Sequence, residues 1–500
     1  MKSFYQKAAV VLAMAGIACS MTAKNIYAKP GASANAAGTE QTPCSLDAAI
    51  KKLAAKDSLF LMGGTYMLNS TITFRTAGTE QNRTFIGAYK DEKPVLDFRN
   101  QPHGKNGVSV KGDYIHMKGI AVCYAGYKGI FNEASHCIME NLDVYGNCDS
   151  GIQHKKGVNN LILNCDSHDN FDYETGTIYA ADWGGNADGF ADKQFTNSPG
   201  NTYIGCRSWN NSDDGWDFYQ RVGGTTIMKN CICYAMGPKE YDLRNHPRRQ
   251  TDKNFLDQFD GNGIDITLKN NKGTVHCSLE HFYNNGNANG FKLGGDYTKH
   301  DVTLYRCLAV GNNERGFDQN NNQGEMRIYN GTAYLNNQNY GFYSDKGYSL
   351  DIKNCVSLDS EKDDTFRGSK ITEQNNTWSK GFSVSQSDFQ NTDTTLIVSP
   401  RKPDGSLPDT PFMRLAPTSR LIDSGTIVEG IEYSGSAPDL GCYEYSGTSS
   451  VSTANILSSE DEITARYGAD GTAIPLNRNK GLTIVKTQSG KAAAVINRKK

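Results

Sequence analysis

Gly290-Phe291-Lys292 is followed 26 residues later by Gly316-Phe317-Asp318, and the same beat of glycine, large apolar residue and variable residue runs back through the chain. Upstream it reads Gly129-Ile130-Phe131, Gly151-Ile152-Gln153, Gly189-Phe190-Ala191, Gly215-Trp216-Asp217 and Gly263-Ile264-Asp265; downstream it reads Gly341-Phe342-Tyr343. Successive apolar members lie 22, 38, 26, 48, 27, 26 and 25 residues apart, so five of seven intervals share one length and the long two carry insertions. A second motif keeps the same time: Asn141-Leu142, Asn164-Cys165, Asn230-Cys231, Arg306-Cys307, Asn330-Gly331 and Asn354-Cys355. A period near 25 residues, with Asn and Gly corners and no helical periodicity, leaves room for about three short strands per turn of a solenoid. Leucine-rich repeats share the length but need a leucine ladder, which is absent here. The expectation is an all-β, right-handed parallel β-helix of about 24–27 residues per coil.

Strand side chains alternate faces, so inward Trp216 and Phe218 place Asp217 outward, and inward Phe291 and Leu293 place Lys292 outward. The column just before the repeat glycine reads Ser150, Asp188, Asp214, Asn262, Asn289. Asp188 and Asp214 then sit one rung apart, and a turn at Ser212–Asp214 brings Asp213 and Asp217 to the same point. Asp before Gly is also ordinary turn chemistry, which explains either motif alone. Stacked in one column, the four carboxylates call for a cation, and an uneven all-oxygen set favours Ca²⁺ over Mg²⁺. Lys292 shares the outer face. It is either a solvated surface lysine or a catalytic group.

The remaining features bound the setting. Lys plus Arg number 52 against 54 Asp plus Glu, so no global field draws the chain to nucleic acid or an acidic membrane. Lys2 and Lys7 precede an apolar run from Ala8 to Ala18, which has the length of a signal peptide and is too short to span a bilayer. Export is therefore expected, with residues 1–23 removed, or with Cys19 as a lipidation site. Thirteen cysteines would suggest disulfides in an exported chain, yet Cys165, Cys206, Cys231, Cys307 and Cys355 recur once per coil, which reads as buried free thiols. Residues 24–44 read as a linker. Ser45 N-caps a short helix through Ala55 that covers the open end of the solenoid, and Phe60 to Tyr66 reads as its first strand. The β-helix itself occupies 45–380, an irregular extension 381–446, and a Ser/Thr-rich linker 447–462. The expected particle is a monomer.

Gly185-Asn186-Ala187-Asp188-Gly189-Phe190-Ala191, Asn211-Ser212-Asp213-Asp214-Gly215-Trp216-Asp217 and Asn289-Gly290-Phe291-Lys292-Leu293-Gly294-Gly295 resemble the motifs of polysaccharide lyase family 9, whose members cleave pectic galacturonans or rhamnogalacturonan. The resemblance runs from about residue 40 to 445. It implies that Asp188, Asp213, Asp214 and Asp217 bind Ca²⁺, that Lys292 is the Brønsted base of a β-elimination, and that the partner is an acidic plant polysaccharide. One departure stands out: the coil at Gly263-Ile264-Asp265 would put Lys292 two rungs, on the order of 10 Å, from Asp217. Residues 239–260 loop out beside the cleft with Arg244, Arg248 and Arg249. Arg248 and Arg249 are either solvated or grip substrate carboxylates. The tail at 463–500 resembles the small β-rich sorting domain of type 9 secretion. Two other readings stay open. A hydrolase on this scaffold would carry Asn-Thr-Asp, Gly-His-Gly and Arg-Ile-Lys signatures; only the first occurs, as Asn391-Thr392-Asp393 in the irregular extension, and the other two are absent; a non-catalytic glycan-binding adhesin would use calcium only to stiffen its coils.

Overall fold

The computed structural model describes residues 22–445 apart from 175, 178–179, 269–272, 345–346, 369 and 380, together with the backbone of four strands between Ile463 and Asn497. Three parallel sheets run the length of the solenoid. The first has twelve strands, from Asn25–Ala28 to Ile371–Gln374; the second has ten, from Ile72–Phe74 to Thr365–Phe366; the third has ten, from Gly64–Met67 to Val356–Leu358. Each complete coil contributes one strand to each sheet, and the first sheet carries one further strand at either end, so strands a coil apart in sequence are neighbours in space.

The repeat motifs have distinct physical jobs. The Asn column forms the corner between the first and third sheets. Asn141, Asn164, Asn230, Arg306, Asn330 and Asn354 all take left-handed backbone, with φ between 52° and 59°, a region that Asn tolerates better than other residues bearing a side chain. The large apolar residues behind the repeat glycines form an internal stack. Phe190–Trp216, Trp216–Phe291, Phe291–Phe317 and Phe317–Tyr340 have ring centroids 4.7, 4.9, 5.1 and 4.9 Å apart, matching the rung spacing. Such pairs add about 0.5–1.5 kcal/mol each beyond their buried area. The repeat glycines serve close packing between coils: a Cβ on Gly290 would stand 2.4 Å from Cys233 Sγ and 2.7 Å from the Gly316 carbonyl oxygen. All twelve cysteines among the described residues are free and buried.

Four expectations change. Residues 25–28, read as linker, are the first strand of the solenoid, paired in parallel with Ser58–Leu61. The cap helix is shorter than expected, Leu46–Lys52, with the Ser45 hydroxyl accepting from the Ala48 N–H at 3.4 Å. Phe60 to Tyr66 spans two strands, Ser58–Leu61 and Gly64–Met67, which belong to different sheets. The last repeat lies two residues earlier than expected, since Phe317 pairs with Tyr340 and Asp318 with Gly341.

A fifth correction bears on the site. Gly263-Ile264-Asp265 is not a coil. Ile264–Thr267 pairs antiparallel with Thr274–Cys277 in a hairpin outside the solenoid, and Trp216 pairs directly with Phe291. Gly263 is needed for its φ of +70°, which the rung glycines do not share. The excursion between Tyr234 and Phe291 packs on the shorter one between His168 and Phe190. Phe171, Tyr173 and Trp183 from the short excursion and Leu243, Leu256, Phe259, Ile266 and Phe282 from the long one form a second core. Residues 381–445 are irregular, with short 3-10 turns, and cover the third sheet through Phe389, Ile397, Phe412 and Leu440 against Leu308, Val356 and Leu358. The tail strands Ile463–Tyr467, Ala473–Ile474, Gly481–Thr487 and Ala492–Asn497 form an antiparallel sheet. The expected signal peptide and the linker at 447–462 lie outside the described residues, Thr22 and Ala23 apart.

Candidate active site

Asp217 and Lys292 are register partners on adjacent strands of the second sheet, both facing outward. The lysine Nζ lies 2.8 Å from Asp214 Oδ2 and 3.4 Å from Asp217 Oδ1, so the separation of about two rungs anticipated between metal and base does not exist. The column before the glycines reads Ser150, Asp188, Asp214, Asn289, without Asn262. Gly189 donates its N–H to the Asp214 carbonyl at 2.9 Å, which places the two aspartates one rung apart. Ser212 and Asp213 form the bend that turns Asp213 toward the same point, and carboxylate oxygens of Asp188, Asp213 and Asp214 all lie within 4.8 Å of one another.

The excursions hold that bend. Asn284 Nδ2 donates to the Ser212 carbonyl at 3.0 Å, and Asp172 Oδ1 accepts from the Ser212 hydroxyl at 3.1 Å and from the Gly184 N–H at 2.9 Å. Gly184 has φ +89°, and a Cβ there would stand 1.8 Å from Asn284 Oδ1. This is the close approach that admits only glycine. Asp172 and Asn284 are site-supporting residues that no repeat in the sequence points to.

A second lysine completes the cluster. Lys193 Nζ lies 2.6 Å from Asp217 Oδ2 and 3.2 Å from Asp188 Oδ2. It follows the strand Phe190–Asp192 by one residue, and only folding brings it to Asp217. Asp214 Oδ1 accepts from the Asn289 backbone and side chain, each at 2.8 Å, and Asp217 Oδ1 accepts from the Tyr219 N–H at 2.7 Å. Asp188 Oδ1 and Asp213 Oδ1 are buried with no hydrogen-bond partner.

Fully ionised, four carboxylates against two ammonium groups would carry two negative charges in a buried site, the complement of one divalent cation. The electrostatics agree. Burial pushes the Asp188 carboxyl up to about 8, with Lys193 opposing and Asp217 and Asp214 assisting. Burial, then Asp214, holds Asp213 well above the carboxylate range, and burial also raises Asp214. Burial pushes Asp217 upward as well, but Lys193 and Lys292 together outweigh it and leave this carboxyl below its ordinary value. Burial pulls Lys292 down, while Asp214, Asp217, Asp213 and Asp188 outweigh it and leave the ammonium well above its ordinary value. The donor set is all oxygen, and two of its oxygens lack partners, so these residues fit a hard divalent cation such as calcium.

Arg244, Arg248 and Arg249, read as either solvated or gripping substrate, find partners within the protein. Arg248 is fully buried; it pairs with Asp252 at 2.8 and 3.0 Å and donates to the carbonyls of Phe98, Tyr124 and Gln101. It pins the long excursion to the solenoid wall. Arg249 pairs with Asp257 and Asp260 inside the excursion, and Arg244 with Asp242 and Glu280.

Residues 26–278 match the family described as Pel9A-like, right handed beta helix region. Pectate lyase L of Dickeya dadantii (strain 3937) is 33% identical over 439 residues, covering 85% of this chain and 91% of that protein. Pectate lyase L of Paenibacillus polymyxa (strain SC2) is 31% identical, covering 82% of this chain and 86% of its own. Among solved structures, pectate lyase Pel9A superposes with a TM-score of 0.70 at 31% identity, covering 85% of this chain and 96% of that one. A rhamnogalacturonan lyase, at 21% identity and TM-score 0.62 over 79% of this chain and 97% of that one, shares the fold.

Proposed function

Because the chain belongs to the Pel9A-like right-handed β-helix family and is a polysaccharide lyase of family 9, we propose that it cleaves pectic galacturonan by calcium-dependent β-elimination, with Lys292 as the base. The observation that carries this reading is the contact between Lys292 Nζ and the buried Asp214–Asp217 carboxylates, beside two carboxylate oxygens with no partner.

Asp188, Asp213, Asp214 and Asp217 would hold the calcium ion. When bound, calcium supplies positive charge against the uronate C6 carboxylate, where negative charge builds in the transition state. Lys292 removes the C5 proton. The electron pair released at C5 forms the C4=C5 double bond as the C4–O bond breaks, and the 4-linked sugar leaves with that oxygen. The strand fixes the base: Phe291 and Leu293 are fully buried on either side of it, while 12% of the Lys292 side chain remains exposed to meet substrate. The Tyr219 ring, 5.5 Å from Nζ, screens one side of the ammonium.

Export fits an extracellular polymer substrate, and no described helix is long and apolar enough to cross a membrane. The antiparallel tail sheet serves as a secretion-sorting domain in this reading. The test is the purified protein on de-esterified polygalacturonate and on rhamnogalacturonan, with and without chelator, followed by the ultraviolet absorbance of unsaturated uronate. Saturated products, or full activity in chelator, would overturn it.

A further inference from the structure

On the outer face of the second sheet, to the N-terminal side of the acidic cluster, lies a polar pocket of about 290 Å³. Phe131 and Gln153 form its floor from the two coils before Ala191 and Asp217. Lys155 and Lys193 stand on one wall, each just beyond the end of a strand of that sheet, and Lys128 and Asn186 line the other. Gln153 therefore sits two rungs from Asp217, on the order of 10 Å.

The charges in this pocket are not equivalent. Lys128 is committed to Asp149 at 2.9 Å, with both side chains buried. Lys193 reaches back to Asp188 and Asp217. Lys155 holds its ammonium over the Phe195 ring, 4.9 Å from the centroid, and no carboxylate pairs with it among the described residues. Lys128 and Lys193 are each committed to carboxylates, so Lys155 is the one lysine of the pocket left to meet an anion, above a floor of an aromatic face and an amide. An anion with hydroxyl groups and an apolar ring face matches that lining; a neutral or esterified sugar leaves Lys155 without a partner.

Resting on the lyase reading above, we propose that this pocket is a uronate subsite of the substrate cleft. Lys155 binds the carboxylate of a sugar about two rungs from the scissile position, Gln153 bonds its hydroxyls, and Phe131 packs on its ring face. Lys193 joins this subsite to the acidic cluster, since one side chain lines the pocket and touches Asp217. The polymer then runs along the solenoid axis, and the enzyme selects consecutive free-acid residues.

The test compares Lys155→Ala and Lys155→Arg with the parent in the full chain. Initial rates of unsaturated-product formation are measured on long de-esterified polygalacturonate, on the same polymer after methyl esterification, and on digalacturonate, whose two sugars flank the cleavage point and do not reach the pocket. Lys155→Ala should raise KM on the long free-acid polymer about tenfold while leaving kcat within twofold, because a charge-assisted contact remote from the reacting atoms stabilises ground and transition states alike. Lys155→Arg should restore KM, and digalacturonate should show no change with either variant. An unchanged KM for Lys155→Ala on a polymer that the parent cleaves would overturn the subsite alone. A kcat loss shared by digalacturonate would also overturn it. Absence of unsaturated product from the parent would instead sink the lyase reading.

Discussion

Lys292→Arg separates charge from basicity at the proposed base. The substitution keeps a cation between Asp214 and Asp217, now 2.8 and 3.4 Å from the lysine Nζ, so the charge balance of the site is unchanged. The change falls on an outward position whose neighbours Phe291 and Leu293 carry the packing, so the internal stack is untouched. A guanidinium does not lose its proton at any assay pH, whereas a base must. General-base catalysis contributes about 10²–10⁴ in rate, so kcat for unsaturated-product formation should fall by that factor. Calcium affinity and the thermal unfolding midpoint should stay near those of the parent. Lys292→Ala should lose the same activity and also destabilise the calcium-free fold by about 3–5 kcal/mol, because it strands buried carboxylates. Calorimetry with and without calcium, beside continuous absorbance assays, reads all of these. A Lys292→Arg enzyme within tenfold of parental kcat would refute the assignment of the base.

Other consequences are equally open to measurement. The surrounding carboxylates hold Lys292 well above its ordinary value, so it is protonated at neutrality and its free-base fraction grows with pH; at saturating calcium, kcat should climb between about pH 7 and 9, and a flat or falling profile would count against it. Asp213 carries a buried, unpartnered oxygen, so Asp213→Asn should weaken calcium binding at least about tenfold while leaving the calcium-free melting temperature unchanged or higher; isothermal titration and melting curves check this opposition of sign. Arg248→Ala removes a fully buried guanidinium that holds one carboxylate and three carbonyls, and should cost about 3–5 kcal/mol in denaturant unfolding without raising the KM of the folded fraction; a selective KM rise would restore a substrate role.

The site was legible from the sequence to the extent that it lies on the repeat. Asp188, Asp214, Asp217 and Lys292 occupy strand or pre-strand positions, and period-two alternation says which way strand residues face. Asp213 was readable because Ser-Asp-Asp-Gly is a turn. Lys193, Asp172 and Asn284 were not, since each reaches the cluster from outside the repeat pattern or from an excursion. The surroundings of Arg248 and Arg249 were not legible for a related reason: a charged cluster in a long insertion looks like a solvent-facing hand until its partners, Asp252, Asp257 and Asp260, are seen to come from the same segment.

What the amino-acid order determined by itself is the coil: its length, its left-handed Asn corners, its inward aromatic beat and its outward acidic column. These follow from local sterics and strand alternation, which act within a few residues. Which coils are neighbours was settled only by the tertiary structure. Gly263-Ile264-Asp265 satisfies the local pattern as well as Gly290-Phe291-Lys292 does, but a rung also needs a stacked ring on either side and a glycine pressed against the next coil. Phe291 meets Trp216 and Phe317 at 4.9 and 5.1 Å, while Ile264 pairs with Cys277 in an antiparallel hairpin. That long-range choice puts Lys292 beside Asp217 and brings together the carboxylates and ammonium on which the proposed chemistry depends.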